Sequence, residues 1–282
     1  MKTRTAWACM AGFGMMWCLM AGAGAHAQPG GPAEKKDDKK PGAGNATGVA
    51  VVEVFTSEGC DSCPPADDLA AKIAREAKEQ GRSVFVLAMH VDYWDYLGWK
   101  DAFAKHEFTV RQREYAGVLG KAGGNGGVFT PEMVVNGKAG FNGADSKLAK
   151  ETIDKAIAGG ARFTIEARVG ERKPGEPVRV RAKVAGDSRW ITLVAAIVED
   201  GLSTDVKSGE NKGKTLRHDR VVRAFAHASV KDGAAEVELR LPAGVKEGNC
   251  RVVVFGQDEK SMVVYGAVEM GLEEKRGESP AK

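Results

Sequence analysis

Cys60 and Cys63 stand two residues apart in the stretch FTSEGCDSCPPADDL, which runs from Phe55 to Leu69. An apolar run precedes them, and Pro64 and Pro65 follow. Two thiols at this spacing can do one of three things. They can cycle between dithiol and disulfide, clip a soft metal ion, or staple a turn. In exchange the thiolate reacts, and the N-terminus of a helix stabilises it through the helix dipole and free N–H groups. On that reading Cys60 is the more exposed, attacking sulfur, and Cys63 resolves the mixed disulfide. With His90 the pair also offers donors that select Cu(I). Structural zinc usually needs four protein ligands, and the chain has neither a second Cys pair nor a His-x-x-His. Exchange is the leading reading, and it calls for no cofactor and no resident metal.

A second stretch, HVDYWDYLGWKDAF, crowds His90, Asp92, Tyr93, Trp94, Asp95 and Trp99 into a short loop. Aromatic rings beside carboxylates suit a groove for a polypeptide or a small thiol. They equally suit a loop packed on the core, with Asp92 or Asp95 capping a turn. His90 reads either as a base or ligand, or as a satisfied histidine at a strand end. Further on, GENKGKTLRHDRVVRAF lacks the phosphate-loop spacing. Its His218, Asp219, Arg220 and Arg223 read as an ion-paired surface or an interdomain contact. Cys250 opens an apolar strand and reads as a buried, unpaired thiol.

The elements that must position these residues follow from periodicity. Val51–Thr56 and Ser83–His90 are apolar runs that suit buried strands. Helical spacing marks Ala66–Gln80, Asp101–Leu119 and Ala144–Ala158. Glu132–Val135 followed by Asn136-Gly137 predicts a hairpin. The order β-α-β-α-β-β-α spans residues 49–160. Beyond Gly160 the period changes to two. Strands are expected at Arg162–Val169, Val178–Val184, Trp190–Val198, Leu216–Ala226, Ala235–Leu241, Arg251–Phe255 and Met262–Val268. Residues 161–270 therefore read as a β-sandwich-like domain.

The ends carry other signals. Lys2, Arg4, an apolar run from Ala6 to Ala23 and the A-x-A site Ala25-His26-Ala27 form a secretory signal, residues 1–27. Cleavage near Ala27 removes Cys9 and Cys18 and leaves Cys60, Cys63 and Cys250 in an oxidising compartment. The alternative is an uncleaved membrane anchor. Residues 28–48 read as a flexible linker, and 271–282 as a polar tail. With 41 basic and 38 acidic side chains, the formal charge of +3 gives no footprint for nucleic acid.

Cys60-Asp-Ser-Cys63 after a strand, with Thr130-Pro131 before EMVVNG, resembles the thioredoxin fold. That resemblance implies a cis peptide at Pro131, a proline packed beside the dithiol, and a Thr130 backbone that receives extended substrate. The chain departs from ordinary thioredoxins at Gly59, where they carry tryptophan, and at Val54, where they carry a buried aspartate. Glu53, next to Val54, points to the other face. It is either a proton relay for Cys63 or an acid paired with a lysine or arginine. Pro64 and Pro65 place the helix start near Pro64. More narrowly, VVEVFTSEGCDSCPPAD, HVDYWDYLGWKD, RQREYA and TPEMVVNG are similar to the exported family called domain of unknown function 1223. The similarity spans roughly Val49 to Tyr265. It implies a thioredoxin-like unit followed by a β-rich region and supplies no settled activity.

The expectation is an α/β thioredoxin-like domain followed by an all-β sandwich-like domain, periplasmic or secreted, with no membrane segment in its mature form. Its function would be thiol–disulfide exchange with protein or small-molecule thiols and disulfides. Cys60, Cys63, Pro131 and Glu53 would carry the chemistry. Thr130, Asp92, Tyr93, Trp94 and Trp99 would bind substrate. The alternatives are a scaffold with a structural disulfide and a copper-handling protein.

Overall fold

In the computed structural model, residues 48–120, 127–173 and 175–272 are described. The expected signal peptide, the linker apart from Gly48, and the tail beyond Leu272 lie outside them. The seven residues of β1, Ala50–Thr56, are all buried. That is the pattern of a strand covered on both faces. A turn containing both cysteines leads into α1, Pro64–Glu79. Proline is tolerated here because the first helical N–H groups have no intrahelical partner. The helix starts where the two prolines predict.

β2, Val84–His90, lies parallel to β1 and pairs Thr56 with His90. The helix expected from Asp101 begins later, as α2 at His106–Leu119. The intervening residues are spent on the loop, where Asp101 is buried as a hydrogen-bond acceptor. The hairpin of β3, Glu132–Val135, and β4, Ala139–Asn142, turns through left-handed backbone at Asn136 and Gly137. Helix α3, Ser146–Ala158, closes this half.

Among the described residues nine strands follow, β5 (Phe163–Val169), β6 (Val178–Gly186), β7 (Ile191–Glu199), β8 (Leu202–Asp205), β9 (Thr215–His218), β10 (Val221–Ser229), β11 (Ala234–Leu239), β12 (Cys250–Asp258) and β13 (Val264–Gly271). The strand expected over Leu216–Ala226 is two strands. The chain turns between them at Arg220, whose φ is 61°, and β9 leaves to pair with β8. Gly271 still belongs to β13 and Leu272 is buried, so the tail begins after them.

The change of period at residue 160 is real, but the strands on its two sides share one sheet. Its order is β13-β12-β7-β10-β2-β1-β3-β4. The join is the parallel contact of β10 with β2, at Val221 and Ala88. The fold is thus mixed α/β around an eight-stranded mixed sheet. A three-stranded sheet, β11-β6-β5, packs on the β7/β12 part through Phe163, Val180, Leu193, Ile197 and Val252. In the other half, α1 and α3 cover the β1 face that carries Val52 and Val54. α2 covers the opposite face, with Val51 and Phe55. Side chains alternate along a strand, so Thr56 falls on the α1 face and Glu53 on the α2 face.

Candidate functional site

Cys60 and Cys63 are joined as a disulfide, with Cα atoms 5.5 Å apart. The bridge sits between the carboxyl end of β1 and the first turn of α1. Cys63 is itself the N-cap of α1, and its carbonyl accepts from the N–H groups of Ala66 and Asp67. Both cysteines are 0% exposed, which corrects the expectation of an exposed Cys60. The cover is supplied from far along the chain. The loop joining β8 to β9, residues 206–214, reaches over the turn. There Asn211 Nδ2 donates to the carbonyls of Glu58 (2.9 Å) and Cys60 (2.8 Å). The Asp61 N–H donates to Glu210, and the Ser208 hydroxyl to the carbonyl of Gly98. No local pattern in GENKGKT points to this role, because the contact joins residues about 150 positions apart.

The aromatic loop braces the same turn. Trp94 Nε1 donates to Thr130 Oγ1 (2.7 Å), and Trp99 Nε1 to Glu58 Oε2 (2.8 Å). A Cβ on Gly59 would lie 3.1 Å from that of Trp94, so the glycine permits the close approach. Asp92 accepts from Thr109 and His106 at the start of α2, which holds its carboxyl below the usual range against the opposing effect of burial. Tyr93 donates to Gln112, and burial raises its phenol's pKa. The Thr130–Pro131 peptide is cis. A Cβ on Gly143 would meet those of Ala66 (3.2 Å) and Pro131 (3.4 Å), so Pro131 stands against the first turn of α1. Cys60, Cys63, Thr130, Pro131, Trp94 and Trp99 are therefore gathered around one turn. Asp92 and Tyr93 anchor the loop to α2.

Glu53 is not gathered there. Its carboxylate is engaged on the α2 face by Arg111 Nε and Nη2 and by the Tyr115 hydroxyl. Gln257 closes the group by accepting from Arg111 and donating to Tyr115. Of the two readings, the arginine-paired acid describes its position.

A different acid follows the dithiol in the first turn of α1. Asp67 is one helical turn after Cys63, and its N–H bonds to the Cys63 carbonyl (3.1 Å). Side chains four apart on a helix are neighbours, and they lean toward the N-terminus. Burial pushes the Asp67 carboxyl up to about 6, with opposing help from His90 and Thr56. His90 lies beside Thr56 on the α1 face. Its Nδ1 donates to Asp101 Oδ2 (2.7 Å), and this carboxylate outweighs burial and raises the imidazole's pKa. Asp101 also accepts from the N–H groups of Glu58 and Phe103. Glu58 pairs with His218 (3.1 Å), whose ring is 5.1 Å from that of His90. The quoted motifs contain Asp67, Asp101 and Glu58, but their spacing does not separate them from surface acids.

His218 and Arg220 are buried, which corrects the reading of an ion-paired surface. Arg220 pairs with Glu269 and donates to the Val86 carbonyl, and Arg223 pairs with Glu199. The Arg220–Val86 bond ties the strands on the two sides of residue 160 together, and the other two lie within the second half. Cys250 is a buried free thiol, as expected, and burial beside Glu199 pushes it up to about 12. Among the described residues no group of three or more His, Cys, Asp or Glu side chains is arranged to hold a metal. No described helix is long and apolar enough to cross a membrane.

A strand, a Cys-x-x-Cys disulfide and a capped helix under a loop from the β-rich half define the class of architecture. The chain belongs to the family described as "Protein of unknown function (DUF1223)", whose model matches residues 51–257. The crystal structure of a structural-genomics target protein from Agrobacterium tumefaciens is similar, with 29% identity and a TM-score of 0.58 over 82% of this chain and 98% of that one. A domain of the outer membrane lipoprotein Omp28 from Porphyromonas gingivalis aligns at 17% identity and a TM-score of 0.24, covering 39% of this chain and 87% of that one. No curated protein matches.

Proposed function

We propose that this chain is an exported, thioredoxin-like thiol–disulfide oxidoreductase that acts on protein or small-molecule thiols and disulfides. The observation that carries the reading is the Cys60–Cys63 disulfide between the end of β1 and the first turn of α1. Reduced there, a thiolate meets the free N–H groups and positive end of α1. Cys60 is the nucleophile and Cys63 the resolving thiol. Thr130 and Pro131 border the path by which a client approaches, and Trp94 fixes the Thr130 side chain. Because both cysteines are covered, attack requires residues 206–214 to move aside and release the Cys60 carbonyl from Asn211.

That burial also favours a second reading, a scaffold whose disulfide is purely structural. The reduction potential separates the two. The full chain is equilibrated in graded glutathione or dithiothreitol buffers and alkylated. An exchanger falls near about −120 to −270 mV. A value below about −300 mV, usual for structural disulfides, would overturn exchange with a glutathione-poised partner and favour the scaffold.

A further inference from the structure

Among the described residues, three buried side-chain polar atoms have no hydrogen-bond partner within the protein, and they are Thr56 Oγ1, Asp67 Oδ1 and His90 Nε2. They are not scattered. Thr56 and His90 are directly paired across β1 and β2, and their shared face is the one α1 covers. Asp67 is on the covering helix, and His90 and Thr56 both act on its carboxyl. Buried polar atoms are normally satisfied, and each exception costs about 1–3 kcal/mol. Three together, one of them on the residue a helical turn after Cys63, mark a place where stability has been given up.

We propose that Asp67 is the proton acceptor and donor for Cys63, with His90 as its positioning partner. The inference rests on the exchange reading and adds a residue and a step to it. In the oxidising direction for the protein, the Cys60 thiolate attacks a client disulfide. A Cys60–client mixed disulfide forms, and the other client sulfur leaves as a thiolate. The Cys63 thiol then passes its proton to the Asp67 carboxylate. The Cys63 thiolate attacks Cys60 Sγ, the Cys60–Cys63 bond forms, and the second client sulfur departs. Two electrons have moved from the dithiol to the client, and Asp67 returns its proton to solvent. Reduction of the protein runs these steps backward, with protonated Asp67 supplying the proton to the leaving Cys63.

The surroundings suit an acid that must hold either state. His90 is fixed through Nδ1 by Asp101, its Nε2 has no partner, and its charge favours the ionised form of the Asp67 carboxyl. Thr56 offers a hydroxyl that can donate or accept. Glu58 and His218, hydrogen-bonded to one another at 3.1 Å, complete the set of titratable groups around the pair. Glu53 cannot serve, since Arg111 and Tyr115 occupy its carboxylate.

The test separates the two chemical steps in the full chain. Formation of the mixed disulfide with oxidised glutathione is measured in Cys63→Ser, with and without Asp67→Asn. Resolution is measured from reduced wild-type and Asp67→Asn protein by rapid alkylation across pH 5 to 9. The expected result is unchanged formation and a resolution rate at neutral pH lower by roughly 10²-fold or more, the usual scale of general acid–base catalysis. The pH profile of Asp67→Asn should lose its lower inflection, and Asp67→Glu should restore part of the rate. Equal resolution rates and profiles in wild type and Asp67→Asn would overturn this inference and leave exchange intact. A Cys63→Ser chain that forms no mixed disulfide would overturn both.

Discussion

Strand β1 carries two buried polar clusters of opposite character, three residues apart and on opposite faces. Around Glu53, every donor finds an acceptor. Arg111, Tyr115 and Gln257 close a ring of hydrogen bonds, and the Arg111 guanidinium stacks near the rings of Tyr115, Phe225 and Phe255. Around Thr56, Asp67 and His90, three atoms are left over. The first cluster spends buried charge on holding α2 to the sheet, at β1 and at β12. The second keeps unused hydrogen-bonding capacity next to a disulfide. A completed network fixes structure, while an incomplete one is free to change protonation state.

The largest effect should come from breaking the completed cluster. Arg111→Met strands the Glu53 carboxylate in the core, and losing one partner of a buried pair costs about 3–5 kcal/mol. Urea unfolding should show that loss, and adding Glu53→Leu should recover most of it. A loss under about 1 kcal/mol would mean that the pair does not hold this region.

The incomplete cluster should respond in the opposite direction. Asp67 binds its proton more tightly when folded, at about 6 against 3.8. Stability therefore falls as pH rises from about 4 to about 6 and stays lower above that. His90 adds the same sign. Its raised pKa contributes stability below 6.5 that is lost as pH climbs through the folded value. Asp67→Asn, which never ionises, should stabilise the oxidised protein above pH 6 by up to about 3 kcal/mol and flatten the slope below it. Destabilisation at pH 7 would make Asp67 a structural acid and erase the contrast.

Asn211→Ala should cost about 1–2 kcal/mol for its lost hydrogen bonds to two buried carbonyls. It should also speed reduction of the disulfide by dithiothreitol, the readout that identifies the loop as the cover. The smallest effect belongs to the exposed Arg181–Glu236 pair on the outer sheet. Arg181→Ala should move stability by no more than about 0.5 kcal/mol.

Much of this was legible in the chain itself. Apolar runs marked β1 and β2, two prolines marked the start of α1, and Asn136-Gly137 marked the hairpin. Alternation placed Glu53 on the face away from Val54. What pattern could not supply was partnership across distance. Arg111 meets Glu53 from 58 residues away, and Asn211 meets Cys60 from 151. The parallel contact of β10 with β2 is equally silent, because a buried strand reads the same whichever neighbour it finds. Asp67 looked like any acid in a first helical turn, where carboxylates favour the dipole.

The contact of β10 with β2 has a consequence for how this molecule can be divided. Residues 49–160 contain the dithiol and resemble a self-sufficient unit. Cut out on their own, they would bare one side of β2, a row of unpaired N–H and C=O groups of the kind that recruits other chains into aggregates. They would also lose the asparagine that holds the Glu58 and Cys60 carbonyls and the histidine that partners Glu58. The half that carries the disulfide is therefore an organ of the whole sheet and not a cassette that can be lifted out.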